Sequence, residues 1–429
     1  MKVAVVGGGI AGLAAAWLLS RQHSVTLFER RAQPGFIASS VSVDGVRVDV
    51  PLRVFYPGYY PTLTRLYREL GVATEPVSYA TTFTGSDGAA YFRWRNLRLG
   101  SLSLPYLLPQ DLSGARARRI VGGALRFQRE AKRAMARGEL KELSLDAFVQ
   151  ALRLPPDYVE GFLLPALATI ATCTTDDARA YPAEVVAGYL AGGLARQSVR
   201  RAVHGADDAA ARLTAGITRV VCDAGVTGLR QCAQGVELLQ GQGQSEVFDH
   251  AVLATQANQA LALWQDAPAA EARALAAFRY RPLEVVMHCD ETLMPARRND
   301  WSPVNARVCA EHDRPESTIW VNAVQPALRH AAAVFQTVQP QRAPRDELVI
   351  AHARFERPLV DTASQRALAT LQSLQGQPGR RVWLCGSYAH SGVPLLESAV
   401  RSAYDLAAAL SAALAPISPQ AQRLAASSA

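Results

Sequence analysis

Lys2-Val3-Ala4-Val5-Val6-Gly7-Gly8-Gly9-Ile10-Ala11-Gly12 runs through an alanine- and leucine-rich stretch to Ser20, and Ser24-Val25-Thr26-Leu27-Phe28-Glu29 follows. The β-branched run from Lys2 reads as a strand buried on both faces, as in a parallel sheet. The stretch after Gly9 reads as a helix, and Ser24 to Phe28 as a second strand. Gly7 then makes the tight turn off the first strand, Gly9 lets backbone approach a pyrophosphate, and Gly12 lets the helix lie close to the sheet. The helix N-terminus offers unpaired N–H groups and a partial positive charge to phosphates, with Ala11 in its first turn. Glu29, at the tip of the second strand with Arg30 beside it, is placed to accept ribose hydroxyls. A glycine fingerprint alone is a weak signal. Strand, fingerprint, helix, strand and terminal acid in succession make a dinucleotide-binding βαβ unit, and the acid disfavours a 2′-phosphate.

A second signal lies near the other end. Arg381-Val382-Trp383-Leu384-Cys385-Gly386-Ser387-Tyr388 reads as a strand and turn, and a helix is expected from about Leu395 through Leu414. With these two ends in view, the chain resembles the FAD-dependent amine oxidase, phytoene desaturase and protoporphyrinogen oxidase superfamily. The nearest branch is one usually described only as predicted NAD/FAD-binding proteins. Val48-Asp49, Arg53-Val54-Phe55, Tyr60-Pro61-Thr62-Leu63 and Leu70-Gly71-Val72 carry the resemblance forward from the N-terminus. Phe162 to Pro182, Val252 to Leu261 and His288 to Trp301 carry it through the middle.

The resemblance implies FAD, expected to be non-covalent because no Cys or His shows a covalent-flavin motif, and a set of cofactor-binding positions: Gly7, Gly9, Ala11, Gly12, Glu29, Arg30, Val54, Val226, Gly386, Ser387, Leu395 and Leu396. Val226 would meet the adenine edge through its backbone. The C-terminal helix would direct its N-terminus at the flavin N1–C2=O edge, where its dipole favours the charge of the reduced ring. Two departures stand out. Gly35-Phe36 replaces the usual glycine pair beyond the ribose acid, and Ser387 stands where many relatives have an acid.

The expected fold is α/β: a Rossmann-like FAD-binding domain of the GR2 type interleaved with a mixed α+β substrate domain. The first is assigned 1–75, 205–265 and 375–415, the second 76–204 and 266–374, and 416–429 a disordered tail. Short strands are expected at Ile217 to Cys222, Gly228 to Cys232, Val236 to Gln240 and Val247 to Ala254, with Gly241-Gln242-Gly243 as a hairpin turn. Asp111 to Glu142 reads as an arginine-dense helix. Such a face is either simply solvated or able to rest on an anionic membrane surface.

The length of 429 residues calls for more than one core, and 49% apolar with 19% charged residues is an ordinary globular composition. A net charge of +8 comes almost wholly from arginine spread along the chain, and no nucleic-acid-binding motif accompanies it. Six scattered cysteines show no metal-ligand spacing, so no metal is expected, and free thiols suit a cytoplasmic protein. The glycines at 7, 8, 9 and 12 argue against reading the N-terminus as a signal peptide.

A flavin supplies its own electrophile, so the protein must chiefly shape a pocket. Many amine-oxidising relatives hold a lysine near the ring. Here the lysines are Lys2, Lys132 and Lys141, none placed for that work. The sequence therefore identifies no catalytic residue. Tyr388 and His390, on the turn expected to pass the flavin, are pocket candidates. Tyr56, Tyr59 and Tyr60 are expected near the pocket entrance or the far side of the cofactor, and His288 and Cys289 as core residues. The leading reading is a two-electron oxidation of a small, largely apolar organic substrate by hydride transfer to flavin N5. The alternative is a redox-neutral isomerase, or a protein in which FAD is structural. The oligomeric state is not legible.

Overall fold

In the computed structural model, which describes residues 1–36, 39–99, 102–191 and 198–414, the first thirty residues form β1 (Lys2–Val6), α1 (Ile10–Leu19) and β2 (Ser24–Phe28). Two strands from the middle of the chain, β3 (Arg219–Val221) and β4 (His250–Leu253), and one from near its end, β5 (Val382–Leu384), complete a parallel sheet in the order β3-β2-β1-β4-β5. Val3, Val5, Val25 and Leu27 are fully buried because both faces of this sheet are covered. The C-terminal helix α2 (Leu396–Leu414) packs on α1.

The chain passes from β1 to β2 on one side, whereas β4 returns on the other side of β1. Strand order thus reverses beside β1, and such a reversal opens a crevice at the carboxyl ends of the strands.

The expected strand Val247 to Ala254 is two strands. Ser245–Phe248 closes an antiparallel meander with Val226–Cys232 and Gly235–Gln240, whereas β4 joins the parallel sheet. Asp249 is the break between them: its N–H donates to the carbonyl of Lys2 at 2.9 Å. The Gly241–Gly243 turn connects two antiparallel strands, as the sequence suggested.

A second sheet of eight strands draws on 81–106 and 280–358. It is antiparallel apart from the pairing of Val304–Arg307 with Thr81–Thr84, across some two hundred residues. Helices between residues 115 and 191 cover it. The basic helix Ala115–Arg137 buries Ala117, Ile120, Gly123, Phe127, Ala131 and Ala134, a stripe at helical spacing. Several of its arginines meet nearby acids: Arg119 pairs with Asp157, Arg129 and Arg133 with Glu130, and Arg137 with Glu139. Among the described residues no helix is long and apolar enough to cross a membrane. The tail expected at 416–429 lies outside the described residues.

Candidate functional site

At the carboxyl ends of the parallel strands a cavity of about 730 Å³ extends between the two sheets. Of the cofactor positions named from sequence, Gly7, Gly9, Ala11, Glu29, Arg30, Val54, Val226, Gly386, Ser387, Leu395 and Leu396 all line it. Gly12 does not. A Cβ there would sit 1.9 Å from the carbonyl oxygen of Gly7, so this glycine permits close packing rather than contact with a ligand. Gly7 itself, at φ +108, has the Ala254 carbonyl 2.8 Å from where a Cβ would be. Gly9 is the opposite case. A Cβ there would meet nothing within 4 Å, so the turn faces open space beside the first turn of α1. That is the cradle a pyrophosphate needs.

Glu29 is buried and locked. One carboxylate oxygen accepts from the Gly8 amide at 2.6 Å and the other from the Arg31 amide at 2.9 Å. Each oxygen retains a lone pair for a ribose hydroxyl. The Val226 amide is already spent on the Ala224 carbonyl at 2.9 Å, so contact through that N–H is not open to a ligand. Phe36, in place of the usual glycine, is buried, and its carbonyl accepts from Arg53 at 2.9 Å.

On the opposite wall the expectation for the start of α2 needs correction in detail. The Leu395 amide donates to the Val393 carbonyl at 2.7 Å and is not free. Leu396 is the first helical residue. The Val393 amide donates to the Tyr59 hydroxyl at 2.9 Å, and Glu397 accepts from the amides of Thr62 and Leu63, tying this turn to the helix Pro61–Glu69.

Tyr388 lines the cavity and is 5% exposed, its ring packed on Phe278. Among the described residues its buried hydroxyl has no hydrogen-bond partner. His390 is turned elsewhere: Nδ1 meets the Ser391 carbonyl, and Nε2 lies 3.5 Å from Asp405 of α2, outside the cavity wall. Tyr60 lines the cavity, and Tyr56 and Tyr59 pack around it and Tyr189. His288 is fully buried in the second sheet, with Nε2 on the Thr337 hydroxyl and Nδ1 accepting from the Asp290 amide.

Sequence reasoning missed the second-sheet wall. Leu283, Val285, Ile319, Phe355 and Arg357 line it, with Ile170 and Thr172 from the covering helices. The Arg357 Nε donates to the Thr172 hydroxyl at 3.0 Å. A period-two pattern, Ala351-x-Ala353-x-Phe355-x-Arg357, was the signal available, since a cation ending an apolar stripe points inward.

Residues 5–70 match the model of the NAD(P)-binding Rossmann-like domain family. The chain is 35% identical over 92 residues to a probable zeta-carotene desaturase of Synechococcus elongatus, covering 20% of this chain and 19% of the relative. It is 31% identical over 121 residues to the zeta-carotene desaturase of a Synechocystis species, covering 27% and 23%. The matches thus span about a fifth of those relatives' length. Among solved structures, a CLA-producing fatty acid isomerase from P. acnes aligns over 95% of this chain and 97% of its own, with a TM-score of 0.69 at 15% identity. Cyclohexylamine oxidase from Brevibacterium oxydans aligns over 97% and 99%, also with 0.69 at 15%. A putative protoporphyrinogen oxidase from an Exiguobacterium species aligns over 97% and 99%, with 0.62 at 16%.

Proposed function

We propose that this chain is a member of the FAD-dependent amine oxidase and desaturase superfamily, an oxidoreductase that holds FAD non-covalently and oxidises a largely apolar organic substrate. The observation that carries the reading is the continuity of one cavity from the Gly7–Gly12 turn to the apolar second-sheet wall. A dinucleotide at the turn would be held by the open face at Gly9, the α1 N-terminus and Glu29, and the rest of it would extend toward Gly386, Ser387 and the start of α2. When bound, the flavin supplies a hydride acceptor, at N5 of its ring.

The remaining work falls to the chain. Leu283, Val285, Ile319 and Phe355 present apolar surface that excludes water and orients an apolar substrate. Tyr388 contributes to the cavity wall, while its hydroxyl is shut away behind that surface with no partner among the described residues. Among the described residues no lysine lines the cavity, so the reading does not depend on a lysine acting as base.

The test is direct. Purified protein should be yellow, with bands near roughly 375 and 450 nm that belong to the flavin itself. Acid precipitation should release FAD into the supernatant. Substrate-dependent bleaching without oxygen would support net oxidation, whereas turnover without bleaching would favour the isomerase alternative. A colourless protein that cannot be reconstituted with FAD would overturn the proposal.

A further inference from the structure

The inward face of the strand Val349–Pro358 carries Ala351, Ala353 and Phe355, then ends on a guanidinium at Arg357. Its cross-strand partner is Arg281, so two like charges stand opposite each other. Arg281 is neutralised by Asp177 at 3.0 Å. Arg357 is not: among the described residues no carboxylate lies within ion-pair range of it. Its one hydrogen bond, to Thr172, uses Nε and leaves the two terminal nitrogens to the cavity it lines. Desolvation pulls its pKa down, and the groups that oppose this, Tyr181, Tyr60 and Cys173, are uncharged at physiological pH.

A second guanidinium, Arg53, lies in the same wall, close enough that the charge on Arg357 works against its own. Asp49 offsets part of that effect on Arg53, whereas the carboxylates lining the cavity do not pair with Arg357. Glu29 belongs to the glycine turn, and Glu356 points from the opposite, exposed face of its strand. A half-buried cation with no counter-ion is partly desolvated at a cost, and an anionic ligand in the cavity removes that cost. An ammonium ion placed there would add a further like charge.

We infer that the substrate of this cavity carries a carboxylate, which the Arg357 guanidinium holds at the second-sheet end while the apolar remainder lies along Phe355, Leu283 and Val285. The inference rests on the oxidoreductase reading above for the word substrate, and its binding chemistry can be read without any flavin.

Calorimetric titration of the full-length protein with dodecanoate, dodecan-1-ol, dodecylammonium and dodecyl phosphate separates the cases. Dodecanoate should bind at least about tenfold more tightly than the alcohol, as expected for a charge-assisted bidentate pair. Arg357→Gln should abolish that preference, and Arg357→Lys should restore part of it, with released FAD per chain the same in all three proteins. Equal binding of acid and alcohol, tighter binding of dodecylammonium, or an undiminished preference in Arg357→Gln would each overturn the inference. Tighter binding of dodecyl phosphate than of dodecanoate would overturn the carboxylate assignment. Loss of FAD from Arg357→Gln and Arg357→Lys alike would also overturn it, placing Arg357 at the cofactor. A wild-type protein that holds no FAD yet keeps the carboxylate preference would support the carboxylate site and remove the flavin reading alone.

Discussion

The amide of Gly8 donates a 2.6 Å hydrogen bond to the carboxylate of Glu29, joining the glycine turn to the tip of the neighbouring strand twenty-one residues on. The acid therefore has two tasks. It fixes the turn that a dinucleotide would rest on, and it faces the cavity in which that dinucleotide would lie.

Glu29→Ala removes the acceptor for two backbone amides, those of Gly8 and Arg31. Leaving a buried amide unsatisfied costs about 1–3 kcal/mol, so the flavin-free protein should unfold at lower urea. FAD affinity should fall about tenfold to a hundredfold, the loss of one charge-assisted bond to ribose together with a loosened turn. Fluorescence titration of FAD and urea melts on the same preparation check both effects. Unchanged FAD affinity would remove Glu29 from the site.

Gly9 and Gly12 make a contrasting pair. Gly12→Ala drives a methyl into the Gly7 carbonyl 1.9 Å away, so the βαβ unit must shift and stability should fall by at least about 1–3 kcal/mol. Gly9→Ala meets nothing and, with φ at −69, imposes no backbone strain. That variant should keep its urea midpoint and lose FAD affinity, because its methyl projects where phosphates would approach. A Gly9→Ala protein that binds FAD as tightly as wild type would place the pyrophosphate elsewhere.

The Gly7–Gly12 turn was legible because each glycine answers to one local requirement, and α2 because a turn and a long apolar helix follow a buried strand. The division of 245–253 was not, since it is hydrogen bonds between Asp249 and Lys2 that part what reads as one strand into strands of two different sheets. Arg357 was hidden for another reason. In a chain rich in arginine, its place in the cavity wall is what distinguishes it, and that place depends on pairing with Tyr280–His288 and on the distant Thr172. His390 was misplaced because a residue two positions from Tyr388 on a turn is not bound to follow it inward, and Asp405 draws its ring toward α2.

His288 should make stability depend on mildly acid pH. Burial pushes its pKa down to about 4 from an ordinary 6.5, with Asp290 and Glu316 offsetting only part of the effect. Above pH 6.5 the imidazole is neutral in both states and contributes no slope. Between about 6.5 and about 4 the unfolded chain takes up a proton that the folded one refuses, so stability falls as pH drops. The full shift corresponds to at most about 3 kcal/mol. For Asp290, burial alone would raise the carboxyl, but the amides of Arg345 and Thr292 outweigh it and hold it below the usual range. Its contribution is thus kept above the ordinary carboxylate pKa of 3.8 and lost only in stronger acid. His23 and His250 are also lowered, so the comparison must be with His288→Gln, whose urea midpoint should vary less than wild type between pH 7 and 4.5.

Tyr388→Phe and His390→Ala should separate cleanly. The Tyr388 hydroxyl is an unpaired buried group in the cavity wall, so Phe should stabilise the flavin-free protein by about 1 kcal/mol. The same change, in a residue of the cavity wall, should alter substrate-driven flavin reduction more than FAD content. His390→Ala touches only the Asp405 side of α2 and should leave flavin reduction unaltered. Stopped-flow reduction without oxygen reads both. If His390→Ala is the slower of the two, the turn faces the cavity by a different side.

The start of α2 admits a variant that removes one hydrogen atom's worth of function. Leu396 is the first helical residue, and the first turn of a helix is where proline is tolerated, since its missing N–H has no intrahelical acceptor. Leu395, immediately before it, already spends its amide on the Val393 carbonyl, which leaves Leu396 as the position where an amide can still serve the cavity it lines. Leu396→Pro should therefore fold with a melting temperature near that of Leu396→Ala, which loses the same side chain but keeps the N–H. On the functional reading above, the N-terminus of α2 lies beside the reduced cofactor and its dipole contributes about 0.3–1 kcal/mol. Deleting that donor should then weaken FAD binding severalfold and lower the flavin reduction potential in the proline variant only. Should the two variants share one affinity and one potential while both remain folded, the helix does not serve the flavin, and stabilisation of its reduced form must come from Gly386, Ser387 and Tyr388 instead.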